Sequence, residues 1–335
     1  MRQVVIPTSL ARAPALALAA ECLTLAGESM GTSWQVRIHA PAAATARLHT
    51  VVEQTLATVV QQMSHWEPAS DLSRFNAAAA GSVVTLPALL FELLLRAQRV
   101  AAQTGGAYDA TAGALVRRWG FGADQARLAA GFRIPDDEEV MELRLRSGWR
   151  KLKLNSATQQ ATQPGGLQLD LSAIAKGFAV DLVSERLRRE GFACHLVEIG
   201  GELRGAGVKH DAQPWWVALE PPDSAARIDE TLIALCDQSV GTSGDYRRCF
   251  EFGGRRYAHT IDPRTGRPVD HDLASVSVIS EECWHADAIS TALTVMGDEE
   301  GLAFANQRGI AARFLRRTEA GYRESFSRAW GDMLL

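Results

Sequence analysis

Asp287 and Thr291 lie four residues apart in a segment, Trp284 to Met296, whose apolar spacing predicts a helix, so the two share one face. A carboxylate and a hydroxyl oxygen so placed could hold one hard cation, although the same pair is also what a solvated helix face contains. In Asp170-Leu171-Ser172-Ala173-Ile174-Ala175-Lys176-Gly177 a predicted strand, Leu167 to Leu171, ends in a carboxylate and a helix, Ser172 to Glu190, begins at once. An anion there would meet free N–H groups and the positive end of the helix dipole, with Lys176 adding its charge. The alternative is that Asp170 merely caps the helix. The stretch Thr104 to Thr111 offers Tyr108 and Asp109 to stack on and hydrogen-bond a heterocycle, with Gly105 and Gly106 permitting close backbone approach; a helix end and loop is its plainer reading. Gly27 to Trp34 sets Met30 at a turn before a strand. Thr242 to Tyr246 and His259 to Pro268 place a histidine, Asp245, Asp262 and several hydroxyls in turn-forming sequence, which suggests a site more than a core.

Other chemistries lack their signatures: there is no Walker loop, no HExxH, no G-x-S-x-G, and Gly200 to Gly207 does not fit the dinucleotide fingerprint. Helical spacing marks Val51 to Met63 and Pro87 to Val100, the latter stopping at Gly105-Gly106, and these flank a loop, Ser64 to Thr85, that contains Trp66. A short helix is expected from Pro135 to Arg146 and another from Asp298 to Gln307. Strands are expected at Lys151–Leu154, Cys194–Ile199, Trp215–Leu219, Ile233–Cys236, Ala274–Ile279 and Ile310–Leu315. Strands and helices mix without a βαβ repeat, so the fold class is α+β. No linker divides the chain.

The 335 residues suffice for a sizeable core, and 22% charged with 47% hydrophobic residues is an ordinary globular balance. A formal net charge of -4 without long like-charge blocks argues against a nucleic-acid partner. Five scattered cysteines fit neither a disulfide framework nor a paired-thiolate zinc site, leaving buried free thiols as the expectation. Ala13 to Ala20 before Cys22 looks like a poor lipoprotein signal, with Pro14 inside it and Glu21 where a small residue is needed. Residues 1–25 therefore read as an uncleaved extension and 26–335 as one domain. The expected localisation is cytoplasmic, a periplasmic or inner-membrane lipoprotein being the alternative.

Taken in order from Met30 to Thr291, these segments resemble the FAD:protein FMN transferase family, the ApbE-type flavin transferases. The likeness rests on Gly-x-x-Met-Gly-Thr, Leu72-Ser73-Arg74-Phe75-Asn76, Gly-Gly-Ala-Tyr-Asp, Asp-Leu-Ser-Ala-Ile-Ala-Lys-Gly, Gly-Gly-Glu-Leu, Thr-Ser-Gly-Asp-Tyr, His-Thr-Ile-Asp-Pro-Arg-Thr-Gly and Ala-Asp-Ala-Ile-Ser-Thr-Ala-Leu. Tyr108 stands where Phe is common and Ser33 where Thr is common. The resemblance implies an ApbE-like fold of mixed sheets and helices with the active site in a cleft between two halves. It implies transfer of FMN from FAD onto a Thr or Ser hydroxyl of an acceptor with an FMN-binding domain, a redox-complex subunit or a soluble flavoprotein, releasing AMP and requiring Mg²⁺. It further implies Met30, Trp66, Ala107, Tyr108, Asp109, Asp170 and Lys176 as FAD contacts, and Ala173, through its carbonyl, Asp287 and Thr291 as metal contacts. His259 is the candidate base for the acceptor hydroxyl, with Asp262 as a second candidate or a further metal contact. A Mg²⁺-dependent FAD pyrophosphohydrolase and a non-catalytic FAD-binding protein are the competing readings.

Overall fold

Glu21–Ser29 and Thr32–Ala40 alternate polar and apolar residues, the pattern of a sheet with one face in a core, and they pair antiparallel across a two-residue turn. The structure, a computed structural model, describes residues 2–7, 21–123, 131–222, 228–246 and 249–335. These form two compact units: Met1–Thr58, Lys176–Tyr246 and Asp272–Leu335 make the first, and Val59–Ala175 with Arg247–His271 the second. The alanine-rich stretch Ala13 to Ala20 lies outside the described residues.

The first unit is built on an eight-stranded antiparallel sheet. In spatial order its strands are Glu21–Ser29, Thr32–Ala40, His195–Ile199, Glu202–Ala206, Gln238–Gly244, Leu273–Ser280, Ala311–Thr318 and Gly321–Phe326, which is also their order along the chain. Leu273–Ser280 is buried along all but its last residue, as an inner strand covered on both faces must be. A smaller sheet sets Arg2–Val5 parallel to Glu230–Leu235, which pairs antiparallel with Trp215–Ala218. Its Val5, Trp215 and Ile233 pack with Leu196, Val240 and Trp330.

The helical range Cys283–Arg308 breaks at Gly297 (φ 82°), so it is two helices, as the sequence predicts. The first crosses the sheet unusually closely. A Cβ on Gly177 would sit 2.4 Å from the Cys283 carbonyl oxygen, and one on Gly241 would sit 2.7 Å from the Asp287 nitrogen. Hydrogen bonds run both ways across this contact: Gly177 N–H donates to Asp287 Oδ2 at 2.9 Å, and Trp284 N–H donates to Asp181 Oδ2 at 2.9 Å. Each helix thus receives a carboxylate from the other near its N-terminus, where unpaired N–H groups and the dipole favour negative charge.

The second unit carries helices Asp71–Ala77, Ala88–Gln103, Gly113–Arg118 and Asp137–Arg146 and a three-stranded sheet with Gln160–Thr162 between Val83–Thr85 and Lys153–Asn155. Asp136 and Glu139 form a capping box that starts the Asp137–Arg146 helix. Leu115, Trp119, Val140 and Ile261 make the core beside it.

Local signals mispredict several features, among them residues 242–244, expected in turn-forming sequence and found in the strand Gln238–Gly244. The expected loop Ser64 to Thr85 contains the Asp71–Ala77 helix, capped by the Ser70 hydroxyl, which accepts the Ser73 N–H. Leu167 to Leu171 is not a strand; it is held by the Asn76 side chain, whose Nδ2 donates to Leu169 O (2.9 Å) and whose Oδ1 accepts Leu169 N–H (2.8 Å). One amide thus supplies both bonds a neighbouring strand would have made. The helix expected from Ser172 starts at Ala175, after a turn in which Ile174 and Ala175 both donate to Leu171 O. Cys194, Cys236 and Cys283 are buried free thiols, but Cys22 and Cys249 are exposed, both on strands whose outward positions tolerate a small side chain.

Gly241→Ala should lower unfolding free energy by about 2–3 kcal/mol or more, since the new methyl meets helix backbone that cannot rotate away, while Gly309→Ala, where nothing lies within 4 Å, loses only the left-handed turn. Urea titrations check it; equal midpoints would show that the helix can shift. His195 offers a pH test. Its ring is fully buried, Nδ1 lies 3.0 Å from the Phe192 carbonyl, which can only accept, and Nε2 lies 2.8 Å from Ser184 Oγ. Nδ1 therefore carries the proton, and burial pushes the pKa down to about 3. Below the unfolded pKa of about 6.5 the unfolded chain binds more protons, so this stabilisation is complete above that pH and fades as pH falls, by about 1.4 kcal/mol per unit. Relative to His195→Leu, which cancels other titrations, the parent should lose about 2 kcal/mol between pH 7 and pH 5; a constant difference would mean that His195 does not titrate.

Candidate functional site

Met30 and Gly31 form the turn between the first two strands, both with positive φ, 55° and 72°. Two-residue hairpin turns of this kind favour Asn or Gly at both positions, so a methionine there is held in a costly conformation that fixes where its side chain starts.

In the same unit Lys176, Glu202 and Asp287 form one charged cluster. Lys176 Nζ pairs with Glu202 Oε1, and Glu202 Oε2 accepts the Thr242 N–H at 3.3 Å. Glu202 and Asp287 are 1% and 4% exposed, so both charges are nearly dry. Burial, reinforced by the charge of Glu202, pushes the Asp287 carboxyl up to about 7, against the pull of Lys176 and the Gly177 N–H. Burial disfavours the Lys176 ammonium too, but the charges of Glu202 and Asp287 outweigh it and hold the group above the ordinary lysine range. The neighbouring Cys283 thiol is pushed well up, first by burial and then by Asp181, Glu202 and Asp287, so it stays protonated and is no thiolate ligand.

The Asp287 and Thr291 oxygens suit a hard divalent cation. Among the described residues Asp287 accepts only the Gly177 N–H, on Oδ2, leaving Oδ1 without a donor. Along this helix Ser290 and Thr294 spend their hydroxyls on the Asp287 and Ser290 carbonyls, whereas Thr291, half-buried, does not bond back to the helix. An unspent carboxylate oxygen and an unspent hydroxyl one turn apart are hard donors. No group of three or more His, Cys, Asp or Glu side chains that could hold a metal exists among the described residues, so carbonyls, waters or a ligand's oxygens would have to complete the shell.

In the second unit His65 Nδ1 lies 3.6 Å from Asp170 Oδ1, which also accepts the Ser172 N–H at 2.8 Å. A cavity of about 420 Å³ is lined by His65, Ser73, Asn76, Arg117, Gln168 and Asp170 among others. Trp66 beside it is 48% exposed and has a ring face to offer. The helix N-terminus is less open to an anion than the sequence suggests, because Ser172, Ile174, Ala175 and Gly177 already donate elsewhere. Ala173 lies in the turn between Asp170 and the helix.

Ala107 and Tyr108 are buried, 1% and 3% exposed, so Tyr108 presents no open ring face. Asp109 acts as a clamp: it accepts Thr111 N–H (2.8 Å), Thr111 Oγ1–H (2.7 Å) and Trp149 N–H (2.9 Å). Burial raises its pKa, while those bonds oppose the rise. A second cavity of about 210 Å³ lies over it, lined by Trp149, Arg150, Lys151 and Arg264 among others.

His259 is half-buried, its ring edge-on to Phe121 at 6.3 Å. Asp262 is committed locally: Oδ1 accepts Arg264 N–H (2.8 Å) and Nε–H (3.1 Å), and Oδ2 accepts Arg264 Nη2–H (3.2 Å). Asp245, grouped with these by sequence, is a buried partner of the Arg317 guanidinium in the first unit. Sequence reasoning gave no role to Glu202, His65 or Asp181. Glu202 carried the one available signal, a carboxylate immediately after the Gly200-Gly201 turn (φ 57° and 93°) at the start of an inner strand.

A family model described as the ApbE family matches residues 30–314. The FAD:protein FMN transferase of Vibrio cholerae is 37% identical over 317 residues, covering 94% of this chain and 93% of the relative, and that of Haemophilus influenzae is 36% identical with 93% of each covered. Among solved structures, the apo form of the Pseudomonas stutzeri flavinyl transferase ApbE superposes with a TM-score of 0.86 at 37% identity, over 95% of this chain and 98% of that one. With a family match across most of its length and relatives this similar along nearly all of both chains, the chain belongs to the ApbE family.

Proposed function

We propose that this protein is an FAD:protein FMN transferase that splits the FAD pyrophosphate and esterifies the FMN phosphate to a Thr or Ser hydroxyl of an acceptor protein. The near full-length likeness to proteins of that name carries the reading, and the Asp287–Thr291 donor pair supports it. The bond broken joins the FMN phosphorus to the bridging oxygen, which leaves on AMP; the bond formed joins that phosphorus to the acceptor oxygen. Asp287 and Thr291, with the Ala173 carbonyl, would hold Mg²⁺, which would supply charge neutralisation at the pyrophosphate.

The protein's own groups divide the remaining work. Met30, Trp66, Ala107, Tyr108, Asp109, Asp170 and Lys176 bind FAD. Trp66 does so through an open ring face, Asp109 by holding the Gly105–Thr111 loop to Trp149, Ala107 and Tyr108 as the buried floor of that loop, and Lys176 by charge. His259 takes the acceptor hydroxyl proton. Asp262 is the weaker candidate because Arg264 already occupies both its oxygens. The acceptor is a protein with an FMN-binding domain. No helix among the described residues is long and apolar enough to cross a membrane.

AMP release from FAD and Mg²⁺, assayed with and without an acceptor, separates the activities. Acceptor-dependent release with flavin on the acceptor marks a transferase, acceptor-independent release a pyrophosphohydrolase, and none a flavin carrier. His259→Ala should slow transfer by about 10²–10⁴-fold with FAD affinity nearly unchanged; undiminished turnover in a folded variant would remove His259 from the mechanism. Asp287→Asn keeps an acceptor for the Gly177 N–H but removes the charge, so Mg²⁺-dependent AMP release should be abolished. Thr291→Ala should retain partial activity that high Mg²⁺ restores, because water can replace a neutral hydroxyl. Calorimetric Mg²⁺ titrations of the FAD complexes check both; full affinity in Asp287→Asn would place the metal elsewhere.

A further inference from the structure

Glu202 and Asp287 act on each other as like charges in a dry region, and Lys176 answers both of them. Two buried carboxylates within each other's field are costly unless a cation compensates them. Ionised, the three groups sum to -1, two carboxylates against one ammonium. A divalent cation at Asp287 and Thr291 supplies the same kind of compensation, and two cations in one poorly screened region repel. Glu202 meanwhile holds the ammonium on its Oε1, while Asp287 Oδ1 keeps no donor. The ion pair thus leaves open the oxygen a metal would use.

We infer that Lys176 is the resident counter-ion of the Glu202–Asp287 pair, that it and the divalent cation bind against each other, and that Glu202 is a positioning residue keeping the ammonium off the metal's oxygen. This rests on the proposed metal role of Asp287 and Thr291. With both carboxylates ionised, Lys176→Met takes the local charge to -2, so Mg²⁺ binds more tightly. In Glu202→Gln one negative charge is lost and Lys176 is freed to pair with Asp287, so Mg²⁺ binds more weakly. In the double variant the sum returns to -1.

The test is calorimetric titration of Mg²⁺ into the full-length protein without FAD, which keeps any contact between Lys176 and FAD out of the measurement. Relative to the parent, Lys176→Met should bind at least about tenfold tighter and Glu202→Gln at least about tenfold weaker; one unit charge about 4 Å from another at an effective dielectric near 20 corresponds to about a thousandfold, so tenfold is the least change expected. The double variant should fall within about threefold of the parent, since paired removal restores the charge. A purely structural ion pair would lower thermal stability in both single variants and leave all four affinities equal, and that result overturns the inference. If Lys176→Met does not fold, the contrast between Glu202→Gln and the double variant decides in the same way: weaker then restored supports it, equal overturns it. A folded parent that binds Mg²⁺ only in its FAD complex overturns this inference alone, and one that binds none with or without FAD overturns the metal reading as well.

Discussion

The contact on which the first unit depends is the approach of the helix beginning at Cys283 to Gly177 on one side and Gly241 on the other, closer than any side chain allows. Backbone packed that tightly can neither slide nor rotate by a residue, so the crossing has one register. The reciprocal capping secures it: Asp181 takes N–H groups of Cys283 and Trp284, and Asp287 takes that of Gly177. Neither carboxylate caps its own helix, so each helix end is completed only when the other is in place.

That geometry brings the charges together. Asp287 reaches Gly177 only because position 177 has no Cβ, and Lys176, one residue earlier, is thereby set beside Glu202 and Asp287. Arg204 extends the arrangement by pairing with Asp181 at 2.7 Å while donating to the Glu281 carbonyl at 2.6 Å. Structural and chemical roles are therefore mixed in single residues. Asp287 caps a helix with one oxygen and leaves the other unspent, which is how a buried carboxylate can be both fixed and reactive.

The second unit solves its positioning problem mostly without buried ion pairs. Asn76 and Gln163 use their amides as backbone substitutes; Gln163, fully buried, donates to Phe75 O and Leu167 O and accepts from Gly165 and Leu167 N–H. Such amides satisfy irregular backbone that no strand covers, and Asn76 in addition forms part of the wall of the His65–Asp170 cavity.

The α+β class, the Val51–Met63 helix, the break at Gly297 and the large-sheet strands His195–Ile199, Leu273–Ser280 and Ala311–Thr318 were legible in the sequence, because apolar periodicity and glycine stops are local properties set by burial on one face. The same holds for Asp287 and Thr291 sharing a face and for Met30 at a turn. What the sequence alone could not supply depended on residues far apart in the chain. Asp181 reads as one more charge on an amphipathic helix until Cys283 and Trp284 arrive beside it. Asn76 reads as one more loop residue until its amide is found bonded to both backbone groups of Leu169, and Glu202 reads as the residue after a glycine turn until Lys176 is paired with it. Asp109 read as a ligand contact and Asp262 as a base or metal contact, yet the tertiary structure commits Asp109 to Trp149, and the turn around Asp262 sets it against Arg264. A carboxylate's type announces only that it must be satisfied; which group satisfies it is decided by the packing that brings donors within 3 Å.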